Sequence, residues 1–194
     1  MDTSIAKTLN GWGYRHAWFA DVAKFFAKDA VFLVVLVAVA AFLAFGRYAS
    51  VEARRGAVSA AFALAIGLII AHFLSGAVDR SRPFVAHPDI HLLIAHGKDA
   101  GFPSDHATGA FAIAVALVLR NRLAGGIALV LAVLVAVARV VVGAHYPTDV
   151  LGGAVLGAAI ALVLYAPALR RHLDALADWA GGLYDRLLPV PATR

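Results

Sequence analysis

Long uncharged apolar stretches alternate with short polar segments along most of the chain. Five stretches contain no acidic or basic residue and approach the width of a bilayer: 30–45, 57–71, 107–119, 123–138 and 150–169. A membrane-spanning helix needs about 20 largely apolar residues, with a lower limit of about 17, and flanking polar residues can complete the shorter stretches. The pattern therefore predicts an all-α integral membrane bundle of about five transmembrane helices.

Polar segments mark where each predicted helix begins and ends. Four of the helices are expected over 30–46, 57–76, 123–142 and 148–168, and the third from near Ser104 to the Arg-Asn-Arg sequence at 120–122. The longest polar insert, 77–103, separates the second helix from the third. Because the sequence shows no repeat, low-complexity tract or linker, we expect residues 1–194 to form a single domain.

Both ends of the chain mix aromatic and charged residues. Residues 1–29 place Trp12 and Trp18 among lysines and arginines, and the segment after 168 places Trp179 close to acidic and basic residues. Amphipathic helices of this composition lie in the plane of the lipid–water boundary. We therefore expect an interfacial helix at each end of the bundle.

The composition supports a membrane protein and excludes several other classes. Hydrophobic residues make up 62% of the chain, charged residues 15%, and the mean hydropathy is +0.81, whereas soluble domains have about a quarter of their residues charged. The net charge of +5 is better explained by membrane orientation than by nucleic acid, which we do not expect as a partner. Cysteine is absent, which excludes disulfides and thiolate chemistry.

The distribution of basic residues predicts the orientation of the bundle. Arginines concentrate in the loops after the first and third predicted helices and in the tail: Arg47, Arg54, Arg55, Arg120, Arg122, Arg170 and Arg171. Short loops rich in Lys and Arg remain on the cytoplasmic side. The amino-terminal segment, the insert at 77–103 and the junction between the fourth and fifth helices are then expected outside.

Three polar sequences stand at the ends of the predicted helices. They are Asp-Arg-Ser-Arg-Pro-Phe at 79–84, Phe-Pro-Ser-Asp-His at 102–106, and the segment from Arg139 to Asp149. Two helices precede the first sequence and two more lie between the second and the third, so all three should meet on one membrane face. An ionisable residue within or at the end of a membrane span costs free energy, so such residues usually mark a functional site.

The local chemistry of these sequences suits a phosphate group. Ser104 after Pro103 is a good N-cap, so the third helix should present its free N–H groups to an anion. Pro147 favours a helix start, which leaves His145 just outside the fifth helix and Asp149 in its first turn, near enough to accept a hydrogen bond from the imidazole. Planar bidentate donors for phosphate oxygens are available from three arginines, Arg80, Arg82 and Arg139.

In this order and spacing, the three sequences resemble the three-block signature of the type-2 phosphatidic acid phosphatase superfamily. The blocks cover residues 80–149. The resemblance implies that His145 attacks phosphorus to form a phosphohistidine, that Asp149 orients it, and that His106 protonates the leaving group. It also implies that phosphoryl oxygens are bound by Arg82, Arg139 and Ser104. A lipid phosphate or diphosphate is the expected substrate, with no cofactor.

Asp105 stands where the superfamily usually has Gly, and the sequences around it are similar to the bacterial undecaprenyl-diphosphatase branch. That branch removes the terminal phosphate of a polyprenyl diphosphate in cell-wall lipid recycling, so the resemblance implies a bacterial plasma membrane enzyme with its site facing outside. Two other positions depart from the pattern, Ser75 in place of a Lys and Ala138 in place of a small polar residue. Arg80 or Lys98 could replace the missing cation, and Asp105 is predicted to pair with one of them.

Several alternatives remain open on the sequence. Other lipid phosphates fit the same signature: phosphatidic acid, phosphatidylglycerol phosphate and lipid A phosphate. Vanadate-binding haloperoxidases share a similar pocket but are soluble, and an anion transporter would carry polar residues along its spans rather than at one end. His87, His91 and His96 could suggest zinc, but Pro88 argues against a regular helix and no Cys assists, so we predict no metal site. We expect a structural role for His72, and close helix packing at Gly153 and Gly157.

Overall fold

The computed structural model describes residues 1–43 and 50–187, and this part of the chain is built from α-helices without a strand. The described helices are α1 (Asp2–Arg15), α2 (Ala17–Lys28), α3 (Ala30–Leu43), α4 (Val51–Val78), α5 (Pro83–Ala86), α6 (Asp105–Val118), α7 (Arg122–Val141), α8 (Pro147–Tyr165) and α9 (Pro167–Leu187). The predicted all-α class is confirmed. The predicted end of the first transmembrane helix, 44–46, and Arg47 lie outside the described residues.

Among the described residues, the structure has fewer helices that are long and apolar enough to cross a membrane than the five that the sequence predicts. Among the described residues, the segments Val51–Ala86, Arg122–Val141 and Pro147–Tyr165 are long and apolar enough to cross a bilayer, and α2 with α3 forms a pair bent by 47° that qualifies as one span. Helix α6 has 14 residues, or about 21 Å, against a hydrocarbon core of about 30 Å. A membrane-spanning bundle is confirmed, while the number of five spans stays a prediction.

Helix α6 is the centre of the bundle because its small residues let other helices approach closely. Most of its residues are buried, and it packs against α4, α7 and α8. A Cβ atom added at Gly153 would lie 3.0 Å from the backbone nitrogen of Thr108, which shows how near α8 comes to the α6 backbone. The prediction of close packing inside the bundle at Gly153 and Gly157 is confirmed. This packing fixes the start of α6, where Ser104 and His106 lie.

Replacement of Gly157 by alanine tests this contact. The added Cβ would collide with the carbonyl oxygen of Thr108 and lie 2.7 Å from the nitrogen of Ala112, both in the α6 backbone. We expect a loss of about 1–3 kcal/mol in the free energy of unfolding, as for other overpacked cores, measured as a lower thermal midpoint in detergent. The matched control is Gly126→Ala in α7, where no heavy atom lies within 4 Å and alanine favours the helix. Equal midpoints for the two variants would contradict the packing.

The amino-terminal segment forms two helices instead of the single predicted one, because the chain is extended at His16 between them. Asn10 of α1 is fully buried. Its side chain donates to the carbonyls of His91 at 2.7 Å and Val141 at 2.9 Å, and accepts from the N–H of His91 at 2.8 Å. Helix α1 therefore ties the long insert to the end of α7.

The arginines at the opposite end of the bundle pair with acidic residues of α9. Arg54 binds Asp185 at 2.7 Å and Arg55 binds Asp178 at 2.7 Å, while Arg120 binds both Glu52 and Asp174. The apolar side of α9 is buried at Leu173 and Ala177. The segment predicted as interfacial thus docks across the ends of α4 and α6.

Candidate active site

The three polar sequences meet at one end of the bundle, as predicted. Helix α4 ends there at Val78, α6 begins, α7 ends at Val141 and α8 begins at Pro147. The backbone N–H of Ser104 donates to the carbonyl of Asp149 at 3.0 Å, and Arg82 reaches the ring of His145 at 2.9 Å. Groups that lie more than 60 residues apart in the sequence therefore form one site.

Arg82 is held rigidly at the start of α5. Its side chain is 6% exposed, and its Nε donates to the carbonyl of Asp99 at 3.0 Å. Nη2 donates to Oδ2 of Asp99 and to the carbonyl of Ala100, both at 3.1 Å, and Nη1 donates to the carbonyl of Ala144 at 3.1 Å. These contacts hold the guanidinium group in an orientation in which Nη1 also points toward the ring of His145.

The hydrogen bonds around His145 fix its tautomer. Nδ1 lies 2.8 Å from the carbonyl oxygen of Gly101, which can only accept, so Nδ1 carries the hydrogen. Nε2 then presents its lone pair, 2.9 Å from Nη1 of Arg82 and 3.4 Å from Nη2 of Arg139. Burial, followed by the charges of the two arginines, lowers the pKa of His145 well below its usual value. The imidazole is therefore neutral, with the lone pair of Nε2 between two arginine side chains.

The predicted hydrogen bond between His145 and Asp149 is wrong. Oδ2 of Asp149 lies 3.8 Å from Nδ1, which is too long for a hydrogen bond but close enough to stabilise a charged ring. The carboxylate instead accepts from the backbone N–H of Tyr146 at 2.8 Å and from Nη1 of Arg80 at 2.7 Å. Asp149 closes the first turn of α8 in this way, and the Gly101 carbonyl takes the expected place beside the imidazole.

Arg139 retains donors that no described group of the protein uses. The residue is 2% exposed, and Nη1 donates to the carbonyl of Ala27 at 3.1 Å. Its Nε is buried without a hydrogen-bond partner among the described residues. A buried unsatisfied donor costs about 1–3 kcal/mol. This arrangement suits an anion that binds beside Nε2 of His145 and satisfies the remaining N–H groups.

The start of α6 forms the third side of the site. Ser104 is fully buried, and its Oγ accepts from the N–H of Ala107 at 3.4 Å, which confirms the predicted N-cap. The backbone N–H groups of Asp105 and His106 form no hydrogen bond with the described part of the protein, as is usual in a first helical turn. The ring of His106 lies within electrostatic range of Arg139, His145 and Arg82. Such a helix end attracts phosphate.

Two proposed substitutes for the missing cation are placed differently from the prediction. Arg80 binds Asp149, Oδ2 of Asp2 at 2.6 Å and Oγ1 of Thr148 at 2.6 Å, and it lies over the ring of Tyr146. Within the described ranges, Lys98 and Asp105 form no ion pair, and both are exposed. The predicted pairing of Asp105 with Arg80 or Lys98 is therefore wrong, because Asp2 from the distant amino terminus and Asp149 occupy Arg80.

The insert contributes contacts that the sequence analysis did not assign to the phosphate site. The carbonyl of Gly101 orients His145, and Asp99 braces Arg82. The ring of His96 lies 6.2 Å from that of His145, nearly perpendicular to it. None of the three residues belongs to a motif. The only signal for these contacts in the sequence is that the insert lies between two of the motifs.

The histidines considered for zinc do not form a ligand set. His91 stacks on Tyr14 with 3.7 Å between ring centroids, and His87 lies edge-on to Tyr146. No group of three or more histidine, aspartate or glutamate residues in the described ranges is arranged to hold a metal ion. His87 and His91 instead contact aromatic rings of Tyr146 and Tyr14.

Comparison with known proteins identifies the family of the chain. The PAP2 superfamily model matches residues 56–172. Undecaprenyl-diphosphatase BcrC of Bacillus subtilis is 31% identical over 193 residues, which cover 98% of this chain and 97% of that protein. LpxE of Aquifex aeolicus has a similar fold, with a TM-score of 0.64, 22% identity, and coverage of 84% of this chain and 93% of that chain. A phosphatidylglycerolphosphate phosphatase from Bacillus subtilis gives a TM-score of 0.58 at 23% identity, over 84% and 83% of the two chains. The chain thus belongs to the PAP2 superfamily, as a multi-pass membrane phosphatase.

Proposed function

We propose that the protein hydrolyses the terminal phosphate of a polyprenyl diphosphate, namely undecaprenyl diphosphate, to give the monophosphate carrier used in cell-wall synthesis. The observation that carries the proposal is the lone pair of Nε2 of His145 held between Arg82 and Arg139. The choice of a diphosphate is supported by the name of the Bacillus subtilis relative, which aligns over almost the whole chain. We also propose a bacterial plasma membrane location with the site facing outside. The similarity to undecaprenyl-diphosphatases supports the membrane, and the arginine-rich end of the bundle, opposite the site, would face the cytoplasm.

The first chemical step is attack by Nε2 of His145 on the terminal phosphorus. A nitrogen–phosphorus bond forms, the bond from phosphorus to the bridging oxygen breaks, and the lipid monophosphate leaves with that oxygen and its electron pair. Arg82, Arg139 and the free N–H groups of α6 stabilise the charge on the phosphoryl oxygens, with Ser104 holding the helix end in place. His106 supplies a proton to the leaving oxygen. Asp149, 3.8 Å from Nδ1, balances the positive charge that the imidazole acquires.

The second step returns the enzyme to its starting state. A water molecule enters where the lipid phosphate left, His106 accepts a proton from it, and the resulting oxygen attacks the phosphohistidine. Inorganic phosphate leaves, and Nε2 of His145 recovers its lone pair. The Gly101 carbonyl keeps the hydrogen on Nδ1 throughout, so the same nitrogen is nucleophile and leaving group.

This mechanism assigns charge stabilisation to protein groups, so we propose a metal-independent enzyme. Phosphoryl transfer depends mainly on positioning and on stabilising the charge of the phosphoryl oxygens. Two buried guanidinium groups and a helix amino terminus provide that charge at one point. The lipid tail would remain among the helices while the head group enters the polar end.

A second candidate function is hydrolysis of another lipid phosphate. The fold similarity to a phosphatidylglycerolphosphate phosphatase supports such a substrate, and phosphatidic acid or a lipid A phosphate would place the same group beside His145. An anion transporter fits less well, because the charged groups of the site are concentrated where α4 ends and where α6 and α8 begin. The preferred substrate therefore distinguishes a diphosphatase from a phosphatase that acts on another lipid phosphate.

Phosphate release from a substrate panel tests the proposed function. Purified protein in detergent, with EDTA present, is supplied with undecaprenyl diphosphate, phosphatidic acid or phosphatidylglycerol phosphate. We expect the highest kcat/KM for the diphosphate and the same rate with and without EDTA. A preference for either phosphoglycerolipid would favour the second candidate, and loss of activity in EDTA would contradict the metal-independent mechanism.

A further inference from the structure

His96 is a third imidazole at the site, and neither the family signature nor the mechanism above uses it. It lies in the insert, with a side chain 19% exposed. Its ring is 6.2 Å from the ring of His145 at an interplanar angle of 87°. Both Arg82 and Arg139 act on it electrostatically, and it acts in turn on His106. His96 therefore borders the space in which a phosphate would bind.

One nitrogen of His96 is engaged and the other is free. Nδ1 lies 3.1 Å from the carbonyl oxygen of Gly97, so it carries a hydrogen, and 3.7 Å from Oδ1 of Asp99. Nε2 has no hydrogen-bond partner in the described part of the chain. The ring is thus oriented by its own segment, and the unused nitrogen is available to a ligand.

Asp99 connects His96 to the phosphate-binding arginine. Its Oδ2 accepts from Nη2 of Arg82 at 3.1 Å, and its backbone carbonyl accepts from Nε of the same guanidinium. The other carboxylate oxygen faces His96. Asp99 therefore braces Arg82 and lies next to His96.

The charges around His96 change when a phosphorylated ligand binds. Burial, together with the positive charges of Arg82 and Arg139, lowers the pKa of His96, despite the opposing contacts with Gly97 and Asp99. A diphosphate brings several negative charges and offsets the two guanidinium groups. The imidazole can then take up a proton and donate from Nε2 to a phosphate oxygen, while Nδ1 stays bonded to the carbonyl of Gly97.

On the basis of the proposed function, we propose that His96 contacts the phosphate group that is not transferred and so selects lipid diphosphates over lipid monophosphates. The transferred group fills the space between His145, Arg82 and Arg139. A lipid monophosphate has no second phosphate to place beside His96, whereas a diphosphate does. His96 is then a specificity-determining residue of the same site.

Two substitutions separate this role from a structural one. His96→Asn keeps an amide near the position of Nδ1, where it can still bind the carbonyl of Gly97, and removes the Nε2 side. His96→Gln places an amide N–H near the position of Nε2. We expect His96→Asn to lower kcat/KM for undecaprenyl diphosphate by about ten- to hundredfold, as for the loss of one charge-assisted hydrogen bond, with phosphatidic acid hydrolysis within about threefold of wild type. His96→Gln should restore most of the diphosphate rate.

His106→Asn provides the opposite comparison. A diphosphate expels a phosphate, which is a better leaving group than the alkoxide expelled from a phosphate monoester, so the proton from His106 matters less for the diphosphate. We expect this variant to lower phosphatidic acid hydrolysis more than diphosphate hydrolysis. The matched control is His91→Asn, in the same insert, whose ring stacks on Tyr14; the ratio of the two rates should not change.

Inhibition by small anions gives a second measurement that does not depend on how well the monophosphate lipid is hydrolysed. We expect His96→Asn to raise the inhibition constant of inorganic pyrophosphate by at least about tenfold, with that of orthophosphate unchanged. Equal losses with both lipids, or equal changes for both anions, would overturn the role of His96. Absence of diphosphate hydrolysis in the wild-type protein would instead overturn the proposed function itself.

Discussion

Replacement of His145 by alanine should lower phosphate release by at least about 10⁴-fold, in line with the loss of a catalytic nucleophile in other enzymes. Nε2 of His145 provides the only lone pair held between Arg82 and Arg139 in the described part of the site. Without it no nitrogen–phosphorus bond can form. Incubation with substrate labelled in the terminal phosphate, followed by a rapid quench, measures the effect directly: wild-type protein should retain acid-labile label and His145→Ala should retain none.

His91→Ala is the control for this experiment, since it removes a histidine whose ring stacks on Tyr14. Its labelling should equal that of wild type. Thermal unfolding in detergent shows whether His145→Ala remains folded. Label that persists on folded His145→Ala protein would exclude this residue as the nucleophile.

The protonation state of His145 explains why it can act as a nucleophile near neutral pH. A protonated imidazole has no lone pair at Nε2, so activity that depends on His145 is lost as the pH falls through its pKa. Because burial and the two arginines lower that pKa well below the usual value, the neutral form persists into mildly acidic solution. Burial and the two arginines that we propose to bind phosphate therefore also keep the proposed nucleophile unprotonated.

Local rules were sufficient to predict the ends of the helices that form the site. Ser104 caps α6 and Pro147 opens α8, because capping and the fixed φ of proline depend on a few neighbouring residues. The count of helices between the polar sequences predicted that these sequences share one membrane face, and the structure brings them to one end of the bundle. These are properties of short segments and of their order in the chain.

The contacts that refine the site could not be predicted in this way. The carbonyl of Gly101 takes the place expected for Asp149, and Asp2 occupies Arg80. Both contacts join segments that lie far apart in the sequence, so they depend on how α1 and the insert pack on the bundle.

Substitution of Arg139 by lysine should lower kcat/KM by about 10²- to 10³-fold, the cost of losing one preorganised donor to a developing anion. Nη1 donates to the carbonyl of Ala27, Nη2 lies 3.4 Å from Nε2 of His145, and Nε has no hydrogen-bond partner in the described part of the protein. An ammonium group carries its donors at a single point and cannot match these directions. Steady-state kinetics with undecaprenyl diphosphate measures the effect.

Arg54→Lys at the opposite end of the bundle is the matched control for Arg139→Lys. Arg54 pairs with Asp185 near the start of α4, whereas the candidate site lies where α4 ends. Its kinetics should equal those of wild type. If Arg139→Lys also stays within about threefold of wild type, a positive charge alone is sufficient at this position. The directed N–H groups of Arg139 would then have no part in binding the phosphoryl group, because lysine preserves the charge and removes only their geometry.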